Sequence, residues 1–351
     1  MTLLGIHHIT LVCRDARRNL AFYRDILGWK LVKQTVNFDA VDTYHLYYGD
    51  ESGRPGSLIT FFEWPRARQG QWGLGATHHF AMCTESYDSL LKWKRYLSAK
   101  GCEIEGPYER TYFTSIYFTD PDGVILEIAT AGPGWTLDEP LEALGEKMLE
   151  PPREWTVGNR DEEKIAATTW AEPVPEITPE MQLTKLHHIT AMGTNIERTT
   201  EFFVERLGLR LVKRTLNFDN PESPHYYYAT YDGPPGTILT YFAYPENKQR
   251  WGQLGIGQTH HYALAVADEA TQLECRERLL QAGLQVSPVM DRKYFRSIYF
   301  NDPDGHIVEI ATNGPGFAVD ESTQSLGGSL QLPPWLESDR VQIESGLQPL
   351  E

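Results

Sequence analysis

Short apolar runs alternate with polar turns along the chain, and they predict strands grouped around one amphipathic helix at a time. The first group opens with a β-like run at residues 7–12. Apolar positions at helical spacing follow between Leu20 and Leu27, and Gly28 closes the helix. Two more β-like runs come at residues 44–48 and 58–62. The pattern predicts a β-α-β-β-β unit.

The chain is an internal repeat, so this unit recurs. GIHHIT at residues 5–10 returns as KLHHIT at residues 185–190, and THHFA at residues 77–81 returns as THHYA at residues 259–263. An offset of 180 to 182 residues is too long for one solenoid repeat and indicates a duplicated domain. Each half divides into two units, which we place at about residues 3–62, 76–130, 183–242 and 258–312.

The repeat predicts a division of the chain into two domains and a linker. We expect a first domain at residues 1–150, a linker rich in Pro, Glu and Thr at residues 151–182, and a second domain with a C-terminal tail at residues 183–351. The architecture is predicted to be α+β with mixed strands. Because no GxGxxG follows a strand and no P-loop is present, nucleotide-binding folds lose support.

Composition and charge narrow the range of partners. The 351 residues carry 32 Lys and Arg against 48 Asp and Glu, a formal net charge of −16. That balance argues against nucleic acid and anionic lipid, which need clustered basic residues. No apolar stretch reaches the ~20 residues of a membrane span, the first residues lack signal-peptide features, and the four cysteines form no CxxC pair. We expect a cytoplasmic globular protein without a nucleic-acid or membrane partner.

Histidine pairs and one glutamate recur at equivalent places in each half. A His-His pair opens the first strand of every unit, and Glu127 and Glu309 each lie inside an apolar final strand. A buried carboxylate is costly unless its charge is compensated, which a divalent metal would do. Two imidazoles and one carboxylate on neighbouring strands leave about three open positions, an arrangement typical of Fe(II) or Mn(II) rather than structural zinc. The alternative is a set of hydrogen-bonded structural pairs, copied together by the duplication.

These features resemble the vicinal oxygen chelate superfamily, which includes glyoxalase I and extradiol dioxygenases. More narrowly, HHIT, LVKxTxNFD, PGTILTYF, YFxSIYF with DPDG and the tail GPGF…DE…LG…LPPWLE resemble ring-cleaving dioxygenases linked to methylhydroquinone breakdown and chlorohydroquinone dioxygenases. The resemblance covers the chain except the linker. It implies two domains with cupped mixed sheets and a non-haem, extradiol-type enzyme that inserts O2 into a hydroquinone-type ring. Fe(II) is the implied cofactor, with Mn(II) as the alternative and Zn(II) as an ion that purified protein could carry.

The resemblance also assigns site residues. The implied metal ligands are His8, His261 and Glu309. The implied catalytic residues around them are His260, Arg292, Thr10, Tyr299 and His7. Arg292 is favoured over Lys293 in the DRKYF segment, and simple strand alternation would point His7 away from His8.

A second metal site is an open expectation. In the chlorohydroquinone enzymes the corresponding ligands are lost, whereas here three are intact: His79, Glu127 and His188. Arg110 would then take the role of Arg292. This grouping requires the first unit to pair with the fourth and the second with the third. Spacing equally allows pairing within each half, so the preference for first with fourth comes from the resemblance.

Two other classes of function remain open at this point. One is a glyoxalase-like metal-dependent isomerase or lyase, for which no fourth protein ligand is evident. The other is a non-catalytic protein that sequesters a quinone or a drug. The expected partners are a small aromatic substrate and O2, and a homodimer is compatible with the sequence.

Overall fold

The computed structural model describes residues 2–350 and contains sixteen strands in that range. The strands of the first half are β1 (Gly5–Cys13), β2 (Lys30–Asn37), β3 (Ala40–Gly49), β4 (Leu58–Glu63), β5 (Thr77–Thr84), β6 (Glu105–Glu109), β7 (Thr114–Thr119) and β8 (Ile125–Thr130). Those of the second half are β9 (Leu186–Gly193), β10 (Arg210–Asn217), β11 (Asn220–Ala229), β12 (Ile238–Ala243), β13 (Thr259–Val266), β14 (Met290–Asp291), β15 (Arg296–Asn301) and β16 (Ile307–Thr312).

Helices are fewer than strands, in agreement with the predicted α+β fold. They are α1 (Ala16–Leu20), α2 (Tyr87–Ala99), α3 (Glu162–Ala167), α4 (Ile196–Thr200), α5 (Glu269–Gln281) and α6 (Arg340–Gly346). A π-helical turn continues α1 over Ala21–Ile26 and another continues α4 over Glu201–Arg206. In the part of the chain that is described, no helix has both the length and the apolar composition needed to cross a bilayer.

The strands form two eight-stranded mixed sheets of the same design. The first sheet has the order β14-β15-β16-β13-β1-β4-β3-β2, and the second has the order β10-β11-β12-β9-β5-β8-β7-β6. The first unit therefore shares a sheet with the fourth, and the second with the third, as the family resemblance predicts. Each sheet combines strands from both halves of the sequence, and the boundaries 1–150, 151–182 and 183–351 stay predictions.

One face of each sheet is covered by helices, and the other face is left for a cavity. All nine residues of the central strand β1 are buried. Ile9 belongs to the main apolar core, whereas His8 lines a cavity. Because successive strand residues point to opposite faces, this alternation separates packing from chemistry. In the second sheet, Leu90 and Trp93 of α2 join the same core as Phe80 of β5.

The loops before β5 and β13 join the two sheets, and the linker packs against the second sheet. Isolated bridges join Gln69 to Ile256 and Leu74 to Trp251, so the loops before β5 and β13 run beside each other. The linker packs against the second sheet, where the buried Lys94 donates to the carbonyl oxygens of Gly106 and Ile165 at 2.6 and 2.9 Å. These contacts hold the linker over one end of that sheet.

Candidate metal centres and their pockets

Three neighbouring strands bring His8, His261 and Glu309 together; we call this trio the first site. His8 lies on β1, His261 on β13 and Glu309 on β16, which are adjacent in the first sheet. Glu309 Oε2 is 2.9 Å from His261 Nε2 and 3.3 Å from His8 Nε2, and the two Nε2 atoms are 3.2 Å apart. All three side chains are buried. The three predicted ligands therefore converge on one point.

The spacing of these donor atoms fits three ligands of one metal ion and on average lies between the values for right-angled and tetrahedral ligands. Two donors at right angles, each about 2.1 Å from a common ion, lie about 3.0 Å apart, whereas tetrahedral ligands lie about 3.4 Å apart. When His8 Nε2 and His261 Nε2 carry no proton, Glu309 Oε2 has no hydrogen-bond donor, while its Oε1 accepts a bond from Ser297 Oγ at 2.5 Å. A fully buried carboxylate oxygen without a donor is costly, and a cation at this point would compensate it.

The protonation states of the first site match a cation-binding set. Burial alone would raise the pKa of Glu309, but His8 and His261 hold that pKa well below its ordinary value. Burial lowers the pKa of His261, and Glu309 offsets only part of this effect. Near neutral pH the set therefore contains a carboxylate and an imidazole lone pair, both of which are metal donors.

His7 contacts His8 on the side away from Glu309 and orients its ring. It falls in a register shift of the β1–β13 pairing between Ile6 and His8, so simple alternation does not apply to its ring. His7 Nε2 donates to the carbonyl oxygen of Thr312 at 3.2 Å, and its Nδ1 lies 2.9 Å from His8 Nδ1. Burial and the neighbouring His8 lower the pKa of His7 to about 3, so its ring is neutral. His7 Nδ1 is then an acceptor and His8 Nδ1 the donor, so that Nε2 is the nitrogen of His8 that faces Glu309.

His260 continues this series of hydrogen-bonded histidine rings on the side that faces the cavity. Its Nδ1 lies 2.8 Å from His261 Nδ1, and its ring meets Phe62 and Trp64 edge to face at centroid distances of 5.4 and 5.7 Å. When the lone pair of His261 Nε2 faces inward, its Nδ1–H donates to His260 Nδ1. That arrangement leaves the Nε2–H of His260 as a donor on the cavity side.

The first site forms the floor of a cavity of about 380 Å³. Aromatic side chains form much of its wall, and the cation nearest the site is Arg292. Arg292 Nε donates to the hydroxyl of Tyr299 at 3.2 Å, and its Nη1 lies 3.4 Å from a carboxylate oxygen of Asp39. Burial raises the pKa of Tyr299, so its hydroxyl stays protonated. A flat, mostly apolar ligand with a few polar atoms would suit this lining.

The structure divides the predicted catalytic residues into two groups. His260, Arg292 and Tyr299 line the cavity together with the three candidate ligands. His7 and Thr10 are buried and are not among the lining residues. Lys293 turns to the C-terminal tail, where its Nζ donates to the carbonyl oxygen of Leu332 at 2.8 Å.

Sequence reasoning missed one histidine of the cavity, His45. Its Nε2 lies 3.0 Å from Thr60 Oγ1, and its Nδ1 lies 3.0 Å from the hydroxyl of Tyr47. Burial and the nearby His261 keep the pKa of His45 well below its ordinary value. A signal was available, because the YHLYY run at residues 44–48 has its counterpart, PHYYY, at residues 224–228, with a histidine at the same place.

The second sheet brings together His79, Glu127 and His188, which we call the second site. Glu127 Oε2 lies 2.9 Å from His79 Nε2 and 3.2 Å from His188 Nε2. All three side chains are buried, and His79 and His188 line a cavity. In the pairing within halves that spacing also allowed, His8 would have joined His79 and Glu127, but those strands lie in different sheets.

Comparisons with known proteins identify one superfamily. The family model described as Glyoxalase/Bleomycin resistance protein/Dioxygenase superfamily matches residues 5–128 and 185–310. MhqO of Bacillus subtilis (strain 168), whose name assigns it provisionally as a ring-cleaving dioxygenase, is 33% identical over 351 residues, covering 99% of this chain and 97% of the relative. Chlorohydroquinone/hydroquinone 1,2-dioxygenase of Sphingobium indicum is 28% identical over 346 residues, covering 97% of this chain and 94% of the relative.

A solved structure agrees in fold over the whole chain. The crystal structure of a Bacillus subtilis protein, described provisionally as a dioxygenase, matches with a TM-score of 0.80 and 32% identity. The match covers 100% of this chain and 98% of that protein. The family that the motifs predict is therefore also the family that the comparisons find.

Proposed function

Because the chain belongs to the Glyoxalase/Bleomycin resistance protein/Dioxygenase superfamily, we propose that it is a metal-dependent, ring-cleaving dioxygenase of hydroquinone-type aromatic compounds. The observation that carries this proposal is the first site itself. Two imidazole nitrogens and one unpaired carboxylate oxygen lie 2.9–3.3 Å apart at the floor of an aromatic-lined cavity. The names of full-length relatives support ring cleavage as the reaction class and a hydroquinone as the substrate class.

In this proposal His8, His261 and Glu309 hold Fe(II), with Mn(II) as the alternative ion. The donor set, two imidazoles and one carboxylate, is the one that non-haem Fe(II) oxygenases use. When bound, the ion supplies open positions at which a phenolic oxygen and dioxygen are held side by side.

The side chains around the first site would orient the ring and handle its protons. Phe62 and Phe295 offer apolar walls to a flat ring. The Nε2–H of His260 is a donor on the cavity side, so it can hold or return a proton at a substrate oxygen. Arg292, already bonded to Tyr299, places positive charge where negative charge would develop on the opening ring.

Two other functions have less support. A glyoxalase-like isomerase is expected to have a fourth protein ligand, and the cluster of His, Cys, Asp and Glu donors found among the described residues has three members. A sequestering protein would not need a carboxylate oxygen without a donor at the floor of its cavity.

Oxygen consumption tests the proposal. Protein loaded anaerobically with Fe(II) and mixed with methylhydroquinone should consume one O2 per substrate. The product should gain the mass of two oxygen atoms, and with ¹⁸O2 both atoms should carry the label. The Glu309→Gln/Glu127→Gln variant is the control and should consume no O2. Binding of the hydroquinone without O2 uptake would instead indicate sequestration, and a product of unchanged mass would indicate an isomerase.

A further inference from the structure

The second site repeats the distances between the carboxylate and the two histidines of the first. The 2.9 and 3.2 Å distances from Glu127 Oε2 to the two histidines match those of the first site to within about 0.1 Å. Glu127 Oε2 again has no hydrogen-bond donor, and Ser115 Oγ donates to the other oxygen. Glu127 is fully buried, so its charge requires compensation here as well.

The histidines behind these ligands are repeated too. His187 Nδ1 lies 2.9 Å from His188 Nδ1, and the ring of His187 is hydrogen-bonded to the backbone of Thr130. His78 Nδ1 lies 2.8 Å from His79 Nδ1. The arrangement of His7 and His8 is therefore repeated, and Nε2 of His188 faces Glu127 Oε2 at 3.2 Å.

A cavity of about 470 Å³ opens onto the second site, and except for the glutamate ligand it contains the counterparts of the residues that line the first. Arg110 Nε donates to the hydroxyl of Tyr117 at 3.3 Å, as Arg292 does to Tyr299. The counterparts of His45, Tyr47 and Phe62 also line this cavity, and they are His225, Tyr227 and Phe242.

The two pockets differ at positions farther from the ligands, and the largest difference is a residue of the linker. Arg160 lies 4.1 Å from the centre of the Tyr108 ring, and its Nη1 is 2.5 Å from Asp219 Oδ1. Asp219 Oδ2 also accepts a bond from Arg110 at 2.9 Å. In the first pocket, Met290 occupies the place of Tyr108, and Asp39 that of Asp219. The residues around the second site thus differ from those around the first, whereas its donor set is complete. This combination is expected of a working site rather than of a nonfunctional copy left by the duplication.

We propose that His79, Glu127 and His188 hold a second divalent metal ion and that their pocket is a second catalytic centre in the same chain. The proposal rests on the proposed function for its reaction class, a ring-cleaving dioxygenation, and adds a second place where it occurs. His78, which lines this pocket, would then hydrogen-bond a substrate oxygen at the place that His260 occupies in the first, and Arg110 would take the role of Arg292. Arg160 acts through Asp219 and is a positioning residue of the second pocket alone.

Metal content tests the proposal without relying on activity. After anaerobic loading with Fe(II) and removal of free ion, elemental analysis should give two ions per chain in the wild type, one in His8→Ala, one in His188→Ala and none in the double variant. Glu127→Gln, which keeps the volume of the side chain, should repeat the result of His188→Ala if the latter folds poorly. One ion in the wild type, lost in His8→Ala and kept in His188→Ala, would overturn the proposal and leave the proposed function intact. A wild type that binds no ion would contradict the proposed function itself.

Kinetics test whether the second site is catalytic. His8→Ala should retain O2 uptake with methylhydroquinone. Arg160→Ala should raise KM several-fold in the His8→Ala background and leave KM unchanged in the His188→Ala background. Two bound ions with no activity left in His8→Ala would overturn the catalytic part. A KM insensitive to Arg160→Ala in both backgrounds would overturn the assignment of the remaining activity to the second pocket.

Discussion

At the scale of residues, the chemistry of each candidate centre depends on groups that cannot touch the substrate. His7 is buried behind His8, and its bond to Thr312 decides which nitrogen of His8 carries the proton. The sequence made Glu309 a candidate ligand, because a repeated glutamate inside an apolar strand is unusual. The role of His7 could not be predicted, because it depends on a register shift that leaves no pattern in the sequence.

Replacing His7 by phenylalanine should weaken metal binding at the first site without removing a ligand. The change keeps the packing against Phe295, whose ring centre lies 4.9 Å away, but leaves His8 Nδ1 without its acceptor. Loss of such an orienting partner costs about 10- to 100-fold in metal affinity. Competition with a chelator for Mn(II) measures this loss of affinity. The matched variant His187→Phe should weaken only the ion lost in His188→Ala, and unchanged affinity in both variants would refute the tautomer argument.

A second residue-scale prediction concerns the turns before the two glutamate strands. Burial raises the pKa of Asp120 to about 7, whereas His306 holds the pKa of the corresponding Asp302 below its ordinary value, burial notwithstanding. Val124 stands where His306 does in the other half. Because the folded pKa of Asp120 is raised, its contribution to the free energy of unfolding is complete below about pH 4 and is lost as the pH rises through about 7.

Asp120→Asn should therefore gain stability relative to the wild type as the pH rises from 5 to 8. We expect a relative gain on the order of 2 kcal/mol, measured by urea unfolding at both pH values. Asp88→Asn, an exposed carboxyl in the first turn of α2, is the control and should show no such trend. A difference between Asp120→Asn and the wild type that does not change with pH would contradict the raised pKa.

At the scale of elements, the sequence predicted most strands and the larger helices, because their apolar periods are clear. The linker was predicted only as a polar connection, yet it contains α3 and contributes Arg160 to a cavity. What fixes it is Lys94, whose Nζ donates to the carbonyl oxygens of Gly106, Ile165, Ala166 and Thr168. A lysine that bonds only to backbone carbonyls leaves no trace in a sequence pattern, because the identity of its acceptors does not matter.

Lys94→Met should loosen the linker while keeping the apolar stem of the side chain. Losing the ammonium leaves buried carbonyl groups short of a donor, and we expect a loss of about 2 kcal/mol in the free energy of unfolding. Limited proteolysis should then cut faster within residues 151–182. The neighbouring Lys92→Met removes a bond to the exposed Glu180 and a cation–π contact with Trp170, and it should destabilise the protein less than Lys94→Met does. Equal effects of the two variants would show that Lys94 does not hold the linker.

At the scale of the whole molecule, neither half of the sequence contains a complete candidate centre. The first site takes His8 from the first half and its other two ligands from the second, whereas the second site takes only His188 from the second half. The repeat predicted the number and type of units, but spacing alone could not decide their partners. That choice depends on the pairing of β1 with β13 and of β5 with β9 at the centre of each sheet.

Cutting the chain in the linker should consequently leave the two halves associated and both sites able to bind metal. A protease site inserted after the exposed Glu172 would allow the folded protein to be cut there. The fragments should elute together in size-exclusion chromatography, because antiparallel ladders and a shared apolar core join them in both sheets. Metal content per pair of fragments should equal that of uncut protein. Urea should separate the fragments only together with loss of the bound ions, since each ion bridges ligands from both halves. Fragments that separate in buffer and keep their ions individually would mean that each half forms its own centre, contrary to the pairing of the central strands.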